Sequence, residues 1–131
     1  MAEHPNAALL RKGHEAFSRG DTDTLSQLFA EGTVWHWPGR NPLSGTHRGR
    51  DAVLSLFAKM AEMTNGTLSI DEDHDFLGSD EHAVALFRLS ATREGKTLRA
   101  NLCEVTHWYN GKLTEEWVSV DDQYAFDEFW S

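Results

Sequence analysis

The stretch TVWHWPGR, residues 33–40, sets one ionisable ring, His36, between Trp35 and Trp37 and follows it at once with Pro38 and Gly39. An imidazole titrates close to neutral pH, so it can take or give a proton there. Between aromatic walls, burial favours its neutral form, which is the form a general base requires. The indoles on either side suit the wall of an apolar pocket for a flat ligand. The bland alternative is a packed histidine hydrogen-bonded to backbone.

Other residues capable of chemistry form weaker patterns. DEDHD at 71–75 begins like a calcium loop, but its sixth position is Phe76 where glycine is needed, and its twelfth is His82 where glutamate is needed. It reads as a solvated acidic strand end. The histidines include no His-x-x-x-His or His-x-His pair, and the lone Cys103 supplies no cysteine pair, so no metal is expected. Cys103 has Glu104 beside it and no run of cations to favour a thiolate. In LSGTHRGRD, His47, Arg48 and Arg50 could meet an anion at a pocket mouth, although solvent exposure is ordinary for such loop residues. GTHRGR lacks the glycine spacing of a phosphate loop, and no cofactor is expected.

Charge and composition narrow the classes. Twenty-one acidic against twelve basic side chains give a net charge of -9, with the basic residues scattered, which argues against nucleic acid as a partner. No apolar run approaches the ~20 residues of a membrane-spanning helix. The opening MAEHPNAALLRKGHEAF has neither the basic start nor the apolar centre of a signal peptide, and a lone cysteine suits a reducing compartment. A soluble, globular, cytoplasmic chain is expected, with 131 residues forming one domain over 1–131.

The elements that must position these residues follow from periodicity. Leu10, His14 and Phe17 at helical spacing predict a helix over 6–19, ended by Gly20. Asp21 or Asp23 caps a short second helix through TLSQLFA, and residues 33–37 read as a strand. Pro38, Gly39, Pro42 and Gly45 mark a loop. DAVLSLFAKMAEMT is the clearest helix, with Val53, Phe57, Met60 and Ala61 on one stripe. Strands over 67–77, 82–93, 96–109 and 112–121, joined by GSDE, REGK and YNGK, predict an antiparallel meander. The tail DDQYAFDEFWS reads as a short helix or an extended arm.

This order gives an α+β class. AFSRGDTDTLSQLFAEGTVWHWPG and YNGKLTEEWVSVDD resemble the first-strand segment and last hairpin of the nuclear transport factor 2-like superfamily. That superfamily includes ketosteroid isomerases, limonene epoxide hydrolases and SnoaL-like polyketide cyclases. The resemblance implies a cone-shaped α+β barrel, its curved antiparallel sheet wrapped around a long helix. It also implies a homodimer through the outer sheet face, with Cys103, His107 and Trp117 as candidate contacts. The fold hosts several chemistries, so function must come from the pocket.

Aligned on the isomerases, His36 takes the place of the catalytic base, and CEVTHW puts Glu104 where those enzymes hold a protonated acid. RLS places Arg88 where the epoxide hydrolases carry Arg-x-Asp, with Ser90 in place of the aspartate and Val118 in place of the late acid. If Arg88 and Glu104 both face inward they pair, which keeps Glu104 charged. The isomerases' tyrosine falls near Gly13, with His14 beside it. Strict alternation sets Asp121 with Trp117 and Ser119, opposite Glu116, Val118 and Val120, unless a bulge reverses it.

The expected site therefore has His36, Arg88 and Glu104 as catalytic groups, in a pocket walled by Trp35, Trp37, Phe57, Met60, Val118 and Tyr124. Its ligand would be an apolar or aromatic small molecule, and its chemistry a cofactor-independent isomerisation or cyclisation by proton abstraction beside a carbonyl. The alternatives are a binding protein without turnover and an interaction module using the outer sheet face and Phe129 and Trp130.

Overall fold

The computed structural model describes residues 3–131. The two residues that begin the amino-terminal segment read above lie outside that range. Helix α1 (Pro5–Arg19) starts where His4 Nδ1 accepts from the Asn6 amide and ends at Gly20, which takes the left-handed conformation. Asp21 caps α2 (Thr22–Leu28) by accepting from the Thr24 amide. The chain then runs through β1 (Phe29–Trp37), β2 (Gly45–Arg48), α3 (Arg50–Met63), β3 (Ser69–Gly78), β4 (His82–Arg93), β5 (Lys96–Tyr109), β6 (Lys112–Val120) and α4 (Gln123–Trp130). In the β4–β5 and β5–β6 hairpins, Glu94-Gly95 and Asn110-Gly111 take positive φ at both central residues, as the twist of two-residue turns requires.

One curved six-stranded sheet forms in the order β2-β1-β6-β5-β4-β3. The expected meander β3-β4-β5-β6 is present, but the sheet is mixed: β1 runs parallel to β6. Strand β2 arises in the segment after Pro42, where Gly45–Arg48 pairs with Val34–Trp37. Helices α1, α2 and α3 pack on one side of this sheet and form the cone. Gly78 allows α1 to come close, since a Cβ there would lie 2.9 Å from the Ala7 nitrogen.

Three irregularities in strand pairing decide which side chains reach the interior. Along β5 alternation is regular, so Leu98, Ala100, Leu102, Glu104, Thr106 and Trp108 form one buried row. Strand β6 carries one extra residue at Thr114, and both Leu113 and Glu116, three apart, turn inward. Strand β3 carries two extra residues, at Asp71 and His74, so Ile70, Asp73 and Phe76 lie opposite the inward-facing Leu89, Phe87 and Ala85.

Helix α4 closes the core. Phe126, Phe129 and Trp130 are buried, which removes the aromatic tail as an exposed interaction surface. Arg93 Nη1 and Lys96 Nζ donate to the last carbonyls of α4, where the helix dipole favours cations. At its other end, Asp127 Oδ1 accepts from the Arg40 amide, Asn41 Nδ2 and Gln123 Nε2, fastening the loop after β1.

Candidate functional site

Inside the cone is a cavity with about 70 Å³ of room for the centres of water-sized molecules. Its wall is apolar and aromatic, drawn from every helix except α4 and from every strand except β2: Phe17, Phe29, Trp35, Trp37, Phe57, Met60, Phe87, Trp108 and Val118 among others. Leu9, Phe17, Phe57 and Ile70 in this wall are partly exposed, and Phe17 and Phe57 meet edge to face with ring centres 5.2 Å apart.

The ionisable groups in that wall are His14, Glu104 and Glu116. His14 is on the buried face of α1, one and two turns beyond Leu10 and Ala7. Its ring lies edge-on to Phe76 and Phe87. Each ring nitrogen faces a carboxylate: Nε2 is 2.7 Å from Glu104 Oε1 and Nδ1 is 2.7 Å from Asp73 Oδ1. A neutral imidazole has one N–H and could serve only one of them, so the arrangement calls for the doubly protonated ring.

The electrostatics agree. Burial pulls His14 toward neutrality, but the charge of Glu104 and the hydrogen bonds to Asp73 and Glu104 outweigh it, and the pKa is pushed up to about 9. Burial likewise raises Glu104, yet the His14 cation and its hydrogen bond bring the carboxyl below its ordinary value. Glu116 has no such cation. Burial, and then the negative charge of Glu104 beside it, push it well above the usual carboxylate range. The two carboxylic groups on adjacent strands are thus driven apart, Glu104 toward the ionised form and Glu116 toward the protonated one.

The protonated Glu116 carboxyl hydrogen-bonds the Glu104 carboxylate, whereas the indole N–H groups of Trp35 and Trp37 find no partner of hydrogen-bonding geometry among the described residues. Buried polar groups without partners at a cavity wall mark places for a ligand or ordered water. The acids are not set around a cation centre: among the described residues no group of three or more His, Cys, Asp or Glu side chains could hold a metal ion.

Of the residues singled out from the sequence, Glu104, Trp35, Trp37, Phe57, Met60 and Val118 line this cavity. His36 does not. Because Trp35 and Trp37 point inward, alternation sends His36 to the outer sheet face, where Nε2 is 2.6 Å from Glu115 Oε2 and the ring stacks on Trp117. Arg88, between inward-facing Phe87 and Leu89, is also on the outer face, near Glu72 at 3.6 Å, so the Arg88–Glu104 pair does not form. Tyr124 is 91 % exposed on α4. His47 is tied to the Leu43 carbonyl, and Asp121 accepts from Asn101 at the surface.

The sequence reading passed over Asp73 and Glu116 as site residues. Asp73 depends on the β3 bulges, since DEDHD read by simple alternation looks like solvated acid, whereas Glu116 shares the face of the wall residue Val118 by alternation alone. His14 was visible on the apolar stripe of α1, without its partners.

A family model for the SnoaL-like domain matches residues 10–116. An uncharacterized protein of Mycobacterium tuberculosis is 29 % identical over 131 residues, covering 100 % of both chains. Among solved structures, Bal32a from a soil-derived mobile gene cassette is similar with a TM-score of 0.92 and 37 % identity, over 96 % of this chain and 96 % of its own. An NTF2-like protein from Burkholderia xenovorans LB400 has a TM-score of 0.87 and 25 % identity, over 100 % of this chain and 99 % of its own.

Proposed function

Since the chain belongs to the SnoaL-like domain family, we propose that it takes a small, largely apolar carbonyl compound into this cavity and moves a proton at the carbon beside the carbonyl, without a cofactor. The observation that carries the reading is the pair of buried carboxylic groups, Glu104 and Glu116, facing one largely apolar cavity with the His14 ring against only the first of them, which drives Glu104 toward the ionised form and leaves Glu116 toward the protonated one. Glu104 removes the proton from carbon, and Glu116 donates a hydrogen bond to the carbonyl oxygen as that oxygen gains charge. Returning the proton to a different carbon gives an isomer. Alternatively, the enolate carbon attacks a second carbonyl in the same molecule, a carbon–carbon bond closes the ring, and the new alkoxide takes the proton from Glu104. His14 stabilises the ionised base throughout.

Trp35, Trp37, Phe57, Met60 and Val118 serve as ligand walls in this reading. Free Cys103 supports a reducing, cytoplasmic setting. Trp117, 40 % exposed on the outer sheet face, supports a homodimer there; sedimentation as a monomer at micromolar concentration overturns that part. No helix among the described residues is long and apolar enough to cross a membrane.

The test follows deuterium uptake from D2O into a panel of small cyclic ketones, 2-tetralone first, by NMR. Uptake above the buffer rate, lowered about 10²–10⁴-fold in Glu104→Gln, is the expected result. The second reading, a carrier without turnover, is favoured by the unpartnered indole N–H groups of Trp35 and Trp37, which need only a bound molecule. It prevails if 2-naphthol quenches the cavity tryptophans while no ketone in the panel exchanges.

A further inference from the structure

Asp73 does not belong to the cavity wall, yet it is bonded to a residue that does. Its carboxylate, on β3, is 31 % exposed, whereas the His14 and Glu104 side chains are 7 % and 8 % exposed. The three form a row leading from solvent to the cavity: Asp73 Oδ1 to His14 Nδ1, then His14 Nε2 to Glu104 Oε1, each at 2.7 Å. We propose that Asp73 is a positioning residue: acting through the His14 ring, it keeps Glu104 oriented and ionised without touching the ligand itself. The proposal rests on the proton-transfer reading above.

The physical reason lies in the two ends of one ring. A lone carboxylate at Nε2 would fix neither the rotation of the imidazole nor its second proton. A second acceptor at Nδ1 does both, because turning the ring would break two short charge-assisted bonds. Asp73's own charge raises Glu104 directly, as the smallest of the effects on it, so its support runs only through the ring. Without Asp73, Nδ1 has no acceptor, the ring can lose its proton in a buried setting, and Glu104 loses its larger counter-charge. The two bulges in β3 serve this contact, since regular alternation from Ile70 to Phe76 would turn Asp73 away from α1.

Other charged groups near the ring do not substitute for Asp73. From β6, Glu116 sits beyond Glu104, and β4 contributes only Phe87. On α1 itself, Arg11 lies over Phe76, is paired with Glu3 at 2.6 Å and adds an attractive charge interaction with Asp73, but it is a cation and cannot accept from Nδ1.

The experiment is a long-range ¹H–¹⁵N NMR titration of His14 between pH 5 and pH 10, on the full chain without ligand. It compares the wild type, Asp73→Asn, Asp73→Glu and a control, Asp75→Asn, whose carboxylate bonds only the Phe76 amide. Both ring nitrogens should carry protons at pH 7.5 in the wild type. The midpoint should fall by about one unit or more in Asp73→Asn, recover part of that in Asp73→Glu, and stay unchanged in the control. In the 2-tetralone assay, Asp73→Asn should lower the exchange rate while 2-naphthol binds as before.

A neutral His14 ring at pH 7.5 in the wild type overturns the proposal with no variant needed. So does an Asp73→Asn midpoint within 0.3 unit of wild type, or an exchange rate that ignores the substitution. If Asp73→Asn does not fold, the wild-type spectrum and Asp73→Glu decide. A ring that responds to Asp73 in a protein that exchanges no ketone refutes the proton-transfer reading instead.

Discussion

Glu104 on β5 and Glu116 on β6 face one cavity from diagonal positions, Glu104 lying opposite Val118 and Glu116 opposite Thr106. Two buried carboxylic groups so close cannot both ionise at little cost, and a single nearby cation, His14, decides which one does. Glutamine substitutions should therefore have unequal effects. Glu116→Gln replaces a protonated acid by a neutral isostere, so urea denaturation near pH 7.5 should show little loss or a small gain. Glu104→Gln removes the buried one of the two carboxylates on the His14 cation, leaving only Asp73, and should cost about 3 kcal/mol. Equal losses would mean that the charges are not divided in this way.

Stability should also fall with alkali before the rest of the protein titrates. The His14 pKa is raised from 6.5 to about 9, so its stabilisation is complete below pH 6.5 and is lost as pH rises through about 9. Over that window the loss is roughly 3 kcal/mol at 1.36 kcal/mol per unit. Glu116, also raised, acts in the same direction from about pH 4.5 upward. Glu104, lowered, acts oppositely, its contribution disappearing as pH falls below about 4.5. Thermal melts across pH 6–9 should show the decline, and His14→Gln should make it shallower. A flat wild-type profile would contradict the ion pair.

The architecture was legible because it follows from period and punctuation. Leu10, His14 and Phe17 marked the face of α1, and Asn110-Gly111 marked the last turn. Glu104 was legible through the resemblance of CEVTHW to the isomerases, and the match held in register because β5 alternates without a break for fourteen residues. Asp73 depends on insertions of one residue, at Asp71 and His74, which no alternation rule supplies, whereas Glu116 shares the face of Val118 by simple alternation and was not singled out. His36 shows the opposite failure. The alternation that makes Trp35 and Trp37 walls already excludes the residue between them, but the alignment on the isomerases overrode it.

The buried tail bears on the choice between core and partner surface. Trp130 is fully buried and meets Phe126 and Phe129 edge to face. Trp130→Ala should cost about 3–5 kcal/mol through the lost contacts and the void left behind. Chemical denaturation measures this directly. A variant as stable as wild type would return α4 to the role of a detachable arm.

His36 provides the final contrast, because two histidines in one chain have been given opposite roles by their positions. His14 lies between two carboxylates at the cavity, whereas His36, on the outer face, is held by Glu115 and Thr46 and stacks on Trp117. A partly exposed pair of that kind contributes at most about 1 kcal/mol. His36→Ala should therefore leave 2-naphthol affinity and ketone exchange within about twofold of wild type, while His14→Ala abolishes exchange. The neighbouring indoles make the test sensitive, since any turning of β1 that moved Trp35 or Trp37 would alter the fluorescence quenched by the bound naphthol. A tenfold loss in His36→Ala with an unchanged emission spectrum would show that the outer histidine acts on the cavity, and the chemistry would have to be sought across the sheet.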